Sequence, residues 1–153
     1  MKTFLIFFLF PVVLAAQIMK VGDNLPTFTY TDQHDQSYTI NSSLQTIVFV
    51  SDMEASKKVH KVLEAKKGTY LQEKRAILVA DIHKMPSLIS KLFAIPKMRN
   101  YKYPIYLIKE EEDGKPYPRE KEGITLISLA DLKVTGIQYL KTPEELAKFL
   151  QEK

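Results

Sequence analysis

Three short apolar runs carry no charge and are rich in β-branched and aliphatic residues: Thr46 to Val50, Ala76 to Ala80 and Pro104 to Ile108. A strand with one wet face alternates apolar and polar residues. A strand covered on both faces reads as an unbroken apolar run. The three runs are therefore expected as central strands. Between them the apolar spacing becomes helical. Ala55, Val59, Val62 and Leu63 follow Ser51-Asp52-Met53-Glu54, an S-x-x-E capping box, and predict a helix over 52–66 with Gly68 as its stop. Pro86 suits the first turn of a second helix, with Leu88, Ile89, Leu92 and Phe93 on its inner side and Pro96 ending it. Buried strands joined through helices need parallel pairing with crossover connections.

The flanks complete the pattern. Phe28, Tyr30, Tyr38 and Ile40 alternate with polar residues around Asp32-Gln33-His34-Asp35-Gln36, giving two short strands about a polar turn. Ile124 to Leu129 and Val134 to Leu140 form a hairpin turning near Ala130-Asp131. Thr142-Pro143-Glu144-Glu145 is another capping box, and Leu146, Phe149 and Leu150 supply the apolar side of a closing helix. Residues 109–123 carry six acidic and four basic side chains and read as a solvated insertion. The order ββ, β-α-β-α-β, ββα predicts an α/β fold, a three-layer α/β/α sandwich about a mixed sheet.

Residues 1–16, MKTFLIFFLFPVVLAA, have the layout of a secretory signal peptide. Lys2 precedes an apolar run too short for a stable span, and small residues close it. Residues 17–153 are then a single domain, periplasmic or secreted. In that setting cysteine would be usable, and the chain has none. Thiolate nucleophiles, redox dithiols and cysteine metal ligands are excluded. Asn41-Ser42-Ser43 matches a glycosylation sequon and is read here as a polar turn.

Val21-Gly22-Asp23-x-x-Pro26-x-Phe28 leading to Thr31-Asp32-Gln33, the strand Ile47 to Val50 running straight into a helix, and Tyr103-Pro104 before a strand together resemble the thioredoxin superfamily, in its peroxiredoxin and redoxin branch. The resemblance spans roughly residues 20 to 150. It implies a thioredoxin-like fold, an active segment within Asp52 to Lys57, and a cis-proline at Pro104 facing it. Asp35 stands where such chains place a turn glycine. No residue of the active segment is cysteine, so the fold is expected to carry over without thiol–disulfide or peroxidase chemistry. The chain resembles a divergent, cysteine-free member.

The expected function is a non-catalytic binding or accessory module. Its binding face is placed at Asp52, Met53, Glu54, Ser56, Lys57, Tyr101, Tyr103 and Pro104, with Met98 at the rim. Its partner would be an exported protein or an extended peptide. Lys57, Lys58, Lys61, Lys97, Arg99 and Lys102 form a loose basic set near it, which would suit an acidic partner or anionic lipid. The rival is an enzyme or metal protein using Asp52, Glu54 or His83, with Asp81-x-His83 offering two ligands near a strand end. His34 and His60 are read as solvated. No cofactor is expected: C-x-x-C-H, G-x-G-x-x-G and H-E-x-x-H are all missing. Nucleic acid is disfavoured by the modest net charge of +4 and the want of any binding signature.

Overall fold

A computed structural model describes residues 17–153; the expected signal peptide, residues 1–16, lies outside the described residues. The strands are β1 (Thr29–Asp32), β2 (Ser37–Thr39), β3 (Thr46–Val50), β4 (Ala76–Asp81), β5 (Tyr106–Ile108), β6 (Ile124–Ala130) and β7 (Lys133–Leu140). They form one mixed sheet in the order β2-β1-β5-β4-β3-β6-β7. The central trio is parallel, with Val50 opposite Ala80 and Ala80 opposite Leu107. β1 and β6 flank it antiparallel. The mixed α/β architecture expected from the strand and helix order is present. The three central strands are almost wholly buried, as unbroken apolar runs require.

Alternate residues of those strands feed two cores. Val48, Val50, Leu78, Ala80 and Leu126 face α1 (Met53–Leu63) and α6 (Pro143–Gln151). Ile47, Phe49, Ile77, Val79 and Ile127 face a thinner layer made of the amino-terminal segment around Leu25, Leu44 and the loop residue Tyr117. A short α2 (Tyr70–Glu73) precedes β4, and a single turn, α5 (Glu111–Gly114), follows β5. The hairpin turns through Asp131 and Leu132, both at positive φ, which is the backbone of a tight two-residue turn. Asn41 accepts from the Ser43 amide at 2.9 Å, the polar turn expected there.

Four local expectations are corrected. The cap of α1 is Asp52 rather than Ser51: its Oδ1 accepts from the Ala55 amide at 2.8 Å. The helix ends at Leu63, and Gly68 is needed for another reason. A Cβ there would sit 2.3 Å from the Lys102 carbonyl, so the glycine lets residues 101–104 approach. The 109–123 segment is not a solvated insertion: Tyr117 and Pro118 are buried, and Tyr117 stacks on Phe49 at 4.7 Å.

The fourth correction is the largest. Pro96 does not end the second crossover helix. The chain runs through it as α3 (Ser87–Ile89), a π-helical turn Ser90–Ala94 and α4 (Ile95–Met98). Proline cannot donate to the carbonyl four residues back, so the ladder widens by one residue and the Ile95 amide bonds the Ser90 carbonyl instead. The widened turn changes which side is buried. Ile95 and Met98 pack on the core, while Leu88, Ile89, Leu92 and Phe93 are 67%, 45%, 58% and 65% exposed.

Candidate functional site

The helix start after β3 is built around Asp52. Exposed amides at a helix amino terminus attract an anion, and in thiol enzymes that anion is the sulfur. Here the anion is the Asp52 carboxylate. One oxygen takes the Ala55 amide, and the other takes the Glu122 amide at 2.7 Å, tying α1 to the segment before β6. Ser56 Oγ donates to the Asp52 carbonyl at 2.9 Å and has no base beside it among its hydrogen bonds. Glu54 pairs with Lys57 at 2.7 Å in solvent, not with Lys58, whose Nζ reaches the Glu122 carbonyl at 2.6 Å. Met53 is 65% exposed.

The other half of the expected face is an aromatic stack. His60 Nδ1 and the Tyr103 hydroxyl are 2.7 Å apart, and the His60 ring lies 4.1 Å from that of Tyr101. His60 is thus half-buried and partnered rather than solvated. Tyr103 is buried, and burial, with Tyr101 and then Glu64 adding to it, pushes its hydroxyl pKa well above the ordinary tyrosine value. Tyr101 and Tyr103 therefore meet α1 at His60, about 10 Å along the helix from Met53. Met53, Lys57 and His60 are spaced i, i+4, i+7, which places them on one stripe of α1 ending at Tyr101.

The backbone beside Pro104 is already occupied. Gln33, only 1% exposed, donates from Nε2 to the Tyr103 carbonyl at 2.8 Å and accepts the Ile105 amide on Oε1 at 2.7 Å. The Tyr103–Pro104 bond is trans, as are all described peptide bonds, so the cis-proline implied by the resemblance is not found. Trans is the lower-energy form by about 0.5–1 kcal/mol, and here both neighbouring peptide groups are clasped by Gln33. That role of Gln33 was legible only as part of the D-Q motif.

A second constellation lies at the end of β4. Asp81, its side chain 1% exposed, has Oδ1 at 2.6 Å from His83 Nδ1 and Oδ2 at 2.9 Å from Arg119 Nη1. The arginine contact is an ion pair whose N–H is poorly aimed, since Oδ2 accepts no well-formed hydrogen bond. Arg119 also donates to the Gly114 carbonyl and lies over the Phe49 ring. A Cβ on Gly114 would fall 2.4 Å from Asp81 Oδ2, so only glycine fits against the carboxylate. His83, Lys84, Tyr117 and Arg119 line an open pocket of about 400 Å³. Asp81 spends one oxygen on His83 directly and the other on a cation, Arg119. Among the described residues no group of three or more His, Asp or Glu could hold an ion. Sequence reading paired Asp81 with His83 but missed Arg119, which is 38 positions away and sat in a stretch read as solvent-facing.

Solved structures similar to this chain include a thio-disulfide isomerase from Thermus thermophilus, at 17% identity and a TM-score of 0.54 over 88% of this chain and 96% of that one. A peroxidoxin from Mycobacterium tuberculosis matches at 17% identity and a TM-score of 0.54, over 88% and 97%. A peroxiredoxin-like protein from Aquifex aeolicus matches at 12% identity and a TM-score of 0.53, over 88% of each chain. The fold is thioredoxin-like. This thioredoxin-like chain lacks the cysteine that thiol chemistry requires, which is consistent with a non-redox role. No protein-family profile matches it, and no curated protein does.

Proposed function

We propose that this chain is an exported accessory module that binds another exported protein through the stripe of α1 running from Met53 past Lys57 to His60 and Tyr101. The proposed face also takes in Asp52, Glu54, Ser56, Tyr103 and Pro104. The observation that carries the reading is the use made of Asp52. Its carboxylate fills the helix start and bridges to Glu122, so the chemical position of the fold serves architecture, while the apolar Met53 beside it remains exposed. Methionine and tyrosine with one lysine give an adaptable, amphipathic contact surface. With the Tyr103 carbonyl and Ile105 amide held by Gln33, recognition rests on side chains rather than on strand addition. The test is affinity capture from the exported fraction with the wild-type chain, Met53→Glu and Tyr101→Ala. A partner recovered by the wild type and lost with both variants supports the reading. Identical recovery by all three would place the binding surface elsewhere.

One observation favours a second reading. The 2.6 Å contact with buried Asp81 orients the His83 imidazole, and His83 lines a pocket large enough for a small molecule. In that reading His83 is an acid–base or ligand-binding group, as expected for a carboxylate/histidine site. The two readings separate by location. Small-molecule thermal stabilisation abolished by His83→Asn and untouched by Met53→Glu would favour the pocket.

A further inference from the structure

The crossover helix through residues 87–98 has a composition unlike the rest of the chain. From Ile82 to Lys109 there is no aspartate or glutamate, while six cationic side chains occur: Lys84, Lys91, Lys97, Arg99, Lys102 and Lys109. The chain carries a net charge of +4, yet outside this stretch acidic residues outnumber basic ones. The whole positive excess is therefore concentrated in one segment. Arg99 is engaged by Asp35 at 3.1 Å, but Lys84, Lys91 and Lys97 take part in no ion pair among the described residues.

The same segment presents an apolar side to solvent. Leu88 and Leu92 are one turn apart, as are Ile89 and Phe93, so the four form a single ridge. They are half of the eight large hydrophobic residues that stand exposed in the described chain. The exposure follows from the sequence chemistry. Pro96 forces the π-turn, Ser90 turns inward, Ile95 and Met98 seat the far end on the core, and the Leu-Phe ridge is carried outward. An exposed aliphatic and aromatic ridge flanked by unpaired lysines, with no acid in the segment, matches the surface of an anionic bilayer. The ridge enters the acyl boundary and the lysines meet phosphates. A second copy of this chain fits less well, because it would bring the same positive segment against itself.

We propose that the 84–98 segment is an interfacial docking element for anionic phospholipid membranes, with Leu88, Leu92 and Phe93 inserting and Lys84, Lys91 and Lys97 contacting headgroups. The segment docks rather than spans: among the described residues no helix is long and apolar enough to cross a membrane. The proposal is independent of the α1 surface.

The experiment is co-sedimentation of residues 17–153 with vesicles of phosphatidylcholine alone and of phosphatidylcholine mixed with phosphatidylglycerol, at low and high salt. Binding is expected to the mixed vesicles, weakened by salt and largely absent on phosphatidylcholine. Each of Lys84→Gln, Lys91→Gln and Lys97→Gln should lower the partition coefficient about fivefold, about 1 kcal/mol per cation near the surface. Leu92→Ser with Phe93→Ser should lower it by about tenfold or more. Those side chains are exposed, so the double variant should keep the wild-type circular dichroism spectrum. Equal sedimentation with both vesicle types, or binding unchanged in the variants, would overturn the proposal. So would a stable dimer in lipid-free solution that Phe93→Ser dissolves, which would assign the ridge to self-association.

Discussion

Asp35 stands with φ +63°, a left-handed backbone that suits glycine. It stands where chains with the V-G-D-x-x-P opening carry a turn glycine, and the positive φ shows why glycine suits that position. The turn is held by Asp32, whose Oδ1 accepts the amides of His34 and Gln36 at 2.8 and 2.9 Å. Replacing Asp35 by glycine relieves the backbone but loses the exposed pair with Arg99, which contributes roughly 0–1 kcal/mol. Asp35→Gly should leave stability within about 0.5 kcal/mol of wild type, while Asp35→Val should cost about 1–2 kcal/mol. Urea unfolding of the pair measures both. Gln33 offers a sharper contrast. Gln33→Leu keeps the volume and strands the Ile105 amide and the Tyr103 carbonyl away from water, at a cost of about 2–3 kcal/mol in the same assay.

At the scale of elements, α1 depends on a cap that also reaches across the molecule. Asp52→Ala removes both the Ala55 and the Glu122 contacts, so it should cost about 1–2 kcal/mol. Asp52→Ser should recover part of that through the Ala55 amide alone, and thermal unfolding would rank the three chains. α6 shows how much of such detail sequence can carry. Its box, Thr142 with Glu145, reads directly from T-P-E-E and is present with both hydrogen bonds. At α1 two acceptors, Ser51 and Asp52, compete for the cap, and the choice rests on the distant Glu122 amide. The 87–98 helix was misread for a related reason. A periodic apolar set says that one side is buried, not which side, and a proline-induced π-turn shifts the phase partway along.

Across the whole molecule, the unbroken apolar runs announced the central strands, because burial on both faces leaves no room for polar residues. The order of the outer strands and the joining of β4 to the 109–123 segment through Asp81 and Arg119 depend on contacts between residues far apart in the chain. The two cores share a dependence on buried tyrosine. Tyr117 meets the Tyr30 hydroxyl on one side of the sheet, and Tyr103 meets His60 on the other. Burial raises the pKa of both Tyr117 and Tyr103. Their folded values lie above the unfolded value of about 10, so their contribution is complete below that pH and is lost as pH rises past it. Stability should therefore fall steeply above about pH 10, with the last part of the tyrosinate absorption, that of the buried tyrosines, appearing together with loss of the folded signal. Ionisation of all tyrosines ahead of unfolding would contradict this.

The proposal to be tested is that this cysteine-free, thioredoxin-like chain serves as a binding module, with its surface on the first turns of α1. Site-specific photo-crosslinking in the producing cell tests it most directly, with the probe at exposed Met53 and a control probe at Lys148 on α6. The account predicts a discrete adduct from Met53 that Lys148 does not give, and mass spectrometry should identify its second component as an exported protein. A well-expressed, exported chain that gives no adduct at Met53, or the same adducts at both positions, would contradict it.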